Sequence, residues 1–476
     1  MSDQNNSVFE QRVASLRELL DQNDLDALIV SHDDEYLSYE LNEDEERLKY
    51  ITGFSGSAGY AVITSNDLKI NEENIEINQD NTENGIVVDR DCAVFVDGRY
   101  VVQVKEQIDS DIFQDFDLAK VKPAKWISSV MPKNSTVGID INCVSYKEYI
   151  SIKNELGMNN INLVATENNL VDKIWTDKPA SVISEISIFP DEYNGCPSPQ
   201  KRQLIAQTLR DKDLDATVIC DPESICWLLN IRGKDRAYLP VINCKMVAYS
   251  NEALEWYINP NHFKDENLQD QLQEHIGHID IFPEEAFDDV LDRLCSSSCT
   301  VYVDPETTNA HVMTKLYSGG AKVSEGLGLC QMPKACKNHI EVAGEYKAHI
   351  KDGIAMCRFI SWLDNLTALD KPTDSDETFL RRVEGVDEAE LAARALSFRK
   401  VEAGFIEPSF ATISALGPNA AMCHYNHENE ATPRALGKDC LYLIDSGAHF
   451  IEGTTDITRT ILVGPHITDE IKRMYT

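Results

Sequence analysis

One stretch of this chain is written twice. Asp24-Leu25-Asp26-Ala27-Leu28-Ile29-Val30 returns as Asp213-Leu214-Asp215-Ala216-Thr217-Val218-Ile219, an offset of 189 residues. A helical pattern precedes each copy: Val13, Leu16, Leu19 and Leu20 before the first, and Leu204, Ile205 and Leu209 before the second. Apolar residues at that spacing mark one helix face, so each copy reads as helix, tight turn, buried strand. So short a match can arise by chance, and it is the shared helix-then-strand context that makes two related α/β domains the better reading. The 476 residues agree, being too many for one core and enough for two or three domains.

Punctuation sets the boundaries. Asn169-Leu170-Val171-Asp172-Lys173-Ile174-Trp175 leads into Thr176-Asp177-Lys178-Pro179, and the polar stretch to Pro199 reads as an interdomain connection. A second boundary is expected near Cys330-Gln331-Met332-Pro333, giving domains over 1–168, 169–329 and 330–476. Beyond it, residues 338–366 have helical spacing, with Ile350, Ile354, Cys357 and Ile360 near one face. Two acidic stretches, 33–46 with eight acids and no base and the Asn-rich 71–84, read as solvated loops. A calcium site is the alternative there, although the EF-hand pattern is absent.

Charge narrows the function classes. Lys plus Arg number 44 against 80 Asp plus Glu, a formal charge of −36, which repels phosphate backbones and argues against a nucleic-acid partner. No run approaches the roughly 20 apolar residues that span a bilayer, so no membrane partner is expected. The first 20 residues lack a basic segment followed by an apolar one, so they are not read as a secretory signal. The 13 cysteines, from Cys92 to Cys440, contain no C-x-x-C pair, and Cys295/Cys299 and Cys330/Cys336 lack zinc-site spacing. Reduced thiols in a cytoplasm are expected.

The informative chemistry lies near residue 450. Cys440 to Ile444 reads as a buried strand ending at Asp445-Ser446-Gly447, and Thr454 to Val463 reads as a second, β-rich strand. The two suggest an antiparallel hairpin with an acid on each arm, Asp445 and Asp456. A four-residue loop over 449–452 sets Asp445 opposite Asp456, with Cβ atoms roughly 4.5–5.5 Å apart. A two-residue loop at 452–453 sets Asp456 opposite His449 instead. Carboxylates as close as the first register allows repel unless a cation lies between them. Sequence alone leaves the register open, and two spaced acids by themselves also suit an ordinary hairpin.

The flanking residues carry a resemblance. The stretch 445–460, DSGAHFIEGTTDITRT, strongly resembles the segment holding the first two metal ligands of the Xaa-Pro aminopeptidases, members of the pita-bread metallopeptidase group. The likeness runs along the chain: GFSGSAGYAVIT (53–64) and VDGRYVVQVKEQID (96–109) resemble the family's N-terminal domain, NLVDKIWTD (169–177) its interdomain junction, and WLLNIRG (227–233) its second domain. KNHIEVAGEYKAHIKDGIAMC (337–357) resembles the first catalytic-domain helix, and GPNAAMCHYNHENE (417–430) the segment bearing a substrate-site histidine, which maps onto His424.

The resemblance implies a fold: two creatinase-like α/β domains followed by an α+β pita-bread catalytic domain, incomplete here. It also implies a metal-dependent aminopeptidase that removes the residue before a penultimate proline. Proline has no N–H and a fixed backbone angle, so ordinary peptidases handle such bonds poorly. Two divalent cations are implied, with Asp445 and Asp456 as ligands and His424 touching substrate or assisting proton transfer. Oxygen-rich ligation suits Mn²⁺, with Zn²⁺ and Co²⁺ as alternatives. The implied partners are peptides with penultimate proline, and a homodimer is left open. His427 matches no family role and is unassigned. Family members carry further histidine and glutamate ligands beyond the second aspartate, whereas Asp456 lies 20 residues before Thr476. The expectation is therefore a truncated chain that is inactive alone. Two other readings compete: a non-catalytic pita-bread binding protein of the histone-chaperone type, and a prolidase or creatinase. Paired acids argue against the first, and tandem N-terminal domains against the second.

Overall fold

A computed structural model describes residues 2–66, 88–265, 267–368, 376–430, 432–464 and 466–475, so the Asn-rich stretch 71–84 lies outside the described residues. The chain forms two compact units: residues 1–189 with 196–336, and residues 190–195 with 337–476.

The first unit contains the duplication. Strands β1 (Ala27–Ser31), β2 (Gly59–Thr64), β3 (Cys92–Val96), β4 (Phe113–Asp117), β5 (Thr136–Ile139) and β6 (Asn162–Ala165) form a sheet in the order β4-β3-β2-β1-β5-β6. A ribbon of β7 (Ser187–Ile188) and β9 (Ile231–Arg232) flanks the second sheet. That sheet comprises β8 (Ala216–Ile219), β10 (Cys244–Tyr249), β11 (Leu254–Ile258), β12 (Asp280–Phe282), β13 (Thr300–Val303) and β14 (Lys322–Glu325), ordered β12-β11-β10-β8-β13-β14. The two orders superpose strand for strand. β1 and β8 each pair antiparallel on one edge and parallel on the other.

The repeated motif supplies the same local chemistry in each sheet. Asp24 and Asp213 both take the left-handed conformation, with φ of +53° and +56°, at the turn between helix and strand. Aspartate tolerates that region because its short side chain hydrogen-bonds locally. Two residues on, Asp26 Oδ2 accepts Thr136 N at 2.7 Å, and Asp215 Oδ2 accepts Thr300 N at 2.7 Å. Each aspartate thus ties its own strand to the neighbouring parallel one.

The acidic stretch 33–46 is not a solvated loop. It wraps around Arg236, whose side chain is fully buried. Arg236 Nη1 donates to Glu40 O and Glu45 Oε2, Nη2 donates to Asp34 and Glu45, and Nε donates to Asn243 Oδ1 at 3.0 Å. Glu35 pairs with the adjacent Arg47, but the cation that engages Asp34 and Glu45 stands about two hundred residues from them, beyond the reach of a local charge count.

In the second unit, helix His339–Thr367 opens on a capping box in which Asn338 and Glu341 satisfy each other's backbone N–H groups. Its inward face is small or apolar apart from Asp352, with Gly344, Ala348, Ala355, Met356, Phe359 and Leu363 buried beside that acid. The face marked by Ile350, Ile354 and Cys357 points outward: Ile350 is 62% and Ile354 42% exposed. Close approach explains why the other face meets the sheet. A Cβ at Gly344 would lie 2.2 Å from the Glu452 carbonyl oxygen, so the helix meets the sheet through its smallest residues. Helix Glu388–Lys400 covers the same core. The sheet has β17 (Cys440–Phe450) at its centre; β18 (Gly453–Val463) pairs along one edge, and β15 (Phe405–Glu407) and β16 (Ile413–Leu416) share the other.

Candidate metal centre

Strands β17 and β18 form the expected hairpin in a third register. Only Ile451 and Glu452 lie in the turn, Phe450 pairs with Gly453, Asp445 with Thr458, and Asp456 with Gly447. Asp445 and Asp456 are therefore diagonal neighbours, and neither of the two registers weighed from the sequence is the one adopted. The difference from either sequence-derived register is two residues in pairing. Side chains alternate with period two, so such a change moves a residue along its face without turning it over. Both acids consequently remain on one face of the sheet, with Gly447 between them on β17.

The two carboxyl groups sense each other. Asp456 is held above the usual carboxylate range, first by desolvation and then by the charge of Asp445 and a hydrogen bond between the side chains. Thr458 Oγ1 donates to Asp445 Oδ1 at 2.7 Å and fixes its orientation. Toward the turn, His449 shares the face and its Nδ1 lies 2.9 Å from Thr454 Oγ1. Sequence reasoning named His449 only as a possible neighbour of Asp456 and passed over Thr458, although counting by twos from Asp445 and Asp456 reaches both.

The opposite face of the hairpin is tied down by a buried ion pair. Arg399 Nε donates to Asp352 Oδ1 at 2.6 Å, and Nη2 donates to Asp352 Oδ2 and Ser446 O, each at 3.2 Å. Thr455 Oγ1 donates to Asp352 Oδ2 at 2.6 Å. Ser446 and Thr455 each adjoin one of the two acids in sequence, so this network holds both arms from beneath.

His424 lies in the turn after a short 3₁₀ segment, Gly417–Ala421, that follows β16, and it is half-buried. The next residue, Tyr425, is buried and donates its hydroxyl to Glu388 Oε2 at 2.7 Å. His427 opens a second 3₁₀ turn and is buried, with no hydrogen-bond partner at Nδ1 among the described residues. Among those residues, the grouping of three or more donor side chains with metal-site spacing is Asp34, Glu35 and Glu45 in the first unit. Arg236 already engages two of those three.

Comparison with known proteins follows the same division. The Creatinase/Prolidase N-terminal domain matches residues 12–174 and, in a second family description, 177–341; Metallopeptidase family M24 matches 343–476. The Drosophila melanogaster Xaa-Pro aminopeptidase ApepP is 30% identical over 98% of this chain and 70% of its own length. The chain belongs to the Xaa-Pro aminopeptidase family. A probable Xaa-Pro aminopeptidase P from Talaromyces marneffei is 31% identical over 95% of this chain, which spans 64% of that relative. The crystal structure of the Caenorhabditis elegans X-prolyl aminopeptidase matches with a TM-score of 0.82 and 25% identity, covering 97% of this chain and 71% of that one. That protein is described as a cytosolic enzyme with a di-nuclear active site. The fold of this family member is thus two creatinase N-terminal domains and an M24 pita-bread domain, as the resemblance implied.

Proposed function

We propose that this chain is a cytoplasmic metallo-aminopeptidase acting on peptides with proline in second position. Asp445 and Asp456 are its metal ligands, and His424 contacts substrate or carries a proton. Its domains run over 1–168, 169–329 and 330–476. The observation that carries this reading is the pair of same-face carboxylates in the β17–β18 hairpin of an Xaa-Pro aminopeptidase family member. The donor set fits the group: Asp456, made costlier to ionise by burial and by the neighbouring Asp445, is relieved by a divalent cation between the two. All-oxygen donors favour Mn²⁺ over Zn²⁺ or Co²⁺. When bound, a metal pair supplies Lewis acidity to the scissile carbonyl and to the attacking water. The chain's own contribution is to hold Asp445 through Thr458, to hold the hairpin through Asp352 and Arg399, and to present the imidazole of His424.

Two carboxylates are few ligands for two ions, so the 476-residue chain alone is expected to turn over at the limit of detection. The test pairs metal binding with turnover. Mn²⁺ should bind this chain, as read by electron paramagnetic resonance, and Asp445→Ala or Asp456→Ala should lower its affinity at least tenfold. A chimera continued with the corresponding C-terminal segment of the Caenorhabditis elegans enzyme should release the first residue of an Xaa-Pro peptide and lose this on Asp445→Ala or chelation. Mn²⁺ affinity indifferent to both substitutions would sink the ligand assignment and favour the binding-protein reading. Chelator-sensitive turnover by the 476-residue chain would refute the ligand count.

A further inference from the structure

Glu388, the first residue of helix Glu388–Lys400, has its side chain buried in the interior of the second unit. Its Oε1 accepts Leu416 N at 2.7 Å and Asn419 Nδ2 at 3.0 Å. Its Oε2 accepts Tyr425 Oη at 2.7 Å and Arg434 N at 3.0 Å. Those four donors come from the start, the middle and the end of a single excursion: β16 ends at Leu416, Tyr425 immediately follows His424, and Arg434 precedes the return to β17. Among its described residues the excursion has little regular structure of its own, only two 3₁₀ turns.

We propose that Glu388 is the positioning residue for His424: its carboxylate gathers residues 416–434 and thereby sets where the imidazole stands. This rests on the role proposed above for His424 and goes beyond it by naming what fixes that side chain. Three features make the carboxylate suited to the task. A charged acceptor roughly doubles the strength of each hydrogen bond it receives. Burial removes competing water, so each bond is expensive to leave unmade. The position at a helix N-terminus favours the negative charge, with no salt-bridge partner among the described residues. Main-chain pairing holds the two ends: Leu416 pairs with Tyr442 of β17, and at the other end Glu388 N donates to Arg434 O at 3.1 Å and Leu436 N donates to Val386 O at 2.8 Å. Nothing equivalent from that pairing reaches Tyr425, which hangs on the Glu388 carboxylate and on Asn419 Nδ2 at 3.0 Å.

Glu388→Gln is nearly the same size, but its amide nitrogen would face donors rather than acceptors. Tyr425→Phe removes a single hydroxyl beside His424 and serves as the milder variant should the first fail to fold. Native-state hydrogen exchange and the ring resonances of ¹³C-labelled histidine are measured on the full 476-residue chain. Glu388→Gln should speed exchange over 416–434 at least tenfold while strands β17 and β18 keep their rates, and Tyr425→Phe should do the same by a smaller factor. The His424 resonance, assigned with His424→Ala, should move in both variants, whereas that of His349 in the same unit should not. Val463→Ala, a core change on β18, should speed exchange across the whole unit and leave His424 in place. An unmoved His424 resonance in Glu388→Gln and Tyr425→Phe would overturn the proposal, as would exchange that rises equally in β17 and β18. Turnover by the His424→Ala chimera tests the underlying reading separately: unchanged turnover defeats the role of His424 while leaving its anchoring by Glu388 in force.

Discussion

Replacing Arg399 by methionine removes the cation from beneath the β17–β18 hairpin and leaves its partner behind. Asp352 is fully buried and Arg399 is 2% exposed, so neither group can turn to water. Breaking such a pair from one side costs about 3–5 kcal/mol. Thr455 still donates to Asp352 at 2.6 Å, which offsets about 1 kcal/mol and puts the expected loss near 3 kcal/mol. At about 1.4 kcal/mol per factor of ten, the slowest amides of β17 and β18, those that exchange only when the unit opens, should exchange roughly a hundredfold faster. The double variant Asp352→Leu/Arg399→Met leaves no buried charge, and Thr455 keeps a weaker acceptor in Ala448 O at 3.4 Å. It should recover about 1–2 kcal/mol of the loss. Hydrogen exchange resolved to the hairpin measures both. A single variant exchanging within threefold of the parent, or a double variant faster than the single, would refute the claim that an uncompensated charge is what hurts.

Two further outcomes test other parts of the structure. His32 is 7% exposed, and burial draws its imidazole down to about 4. Because the folded value lies below the unfolded one, its contribution is complete above pH 6.5 and is lost as pH falls toward 4; by pH 5 about 2 kcal/mol should be gone. Urea melts of the parent and His32→Gln at pH 7.5 and 5 should converge by that amount, and parallel curves would contradict it. In helix His339–Thr367, Gly353→Ala meets nothing within 4 Å and should stabilise by about 0.5–1 kcal/mol, whereas Gly344→Ala, 2.2 Å from Glu452 O, should destabilise by about 1–3 kcal/mol in thermal melts.

The sequence was most readable where one local pattern decides one local structure. The Asp24 and Asp213 copies foretell matching turns and matching strands because a tight turn and a buried strand are each written within seven residues. The two acids of the hairpin could be placed on a common face for the same reason, since period two is a property of each strand alone. Their pairing could not, because register depends on what lies beneath: the contacts of Ser446 and Thr455 with Arg399 and Asp352, on helices some fifty and a hundred residues away. The acidic stretch 33–46 failed for a kindred reason, its counter-charge being Arg236. The helix over 338–366 was legible, but the side it turns to the sheet was not, because helical periodicity reports a stripe without saying which stripe is buried, and Gly344 and Ala348 offer less apolar signal than Ile350 and Ile354. Glu388 carried no mark at all; an acid at the start of a helix reads as ordinary N-terminal chemistry.

The parity of the hairpin bears on how such a site can change over generations. Register steps of two residues slide Asp445 and Asp456 past one another along the same face, so dipeptide insertions or deletions within a strand alter the spacing of the carboxylates while keeping them facing the same space. A single-residue change does something different in kind: it drives an acid into the buried underside, against Asp352, and lifts Thr455 or Ser446 out of it. Viable descendants of this hairpin are therefore separated by even steps, and the spacing between its acids is a quantity that selection can adjust only in coarse increments.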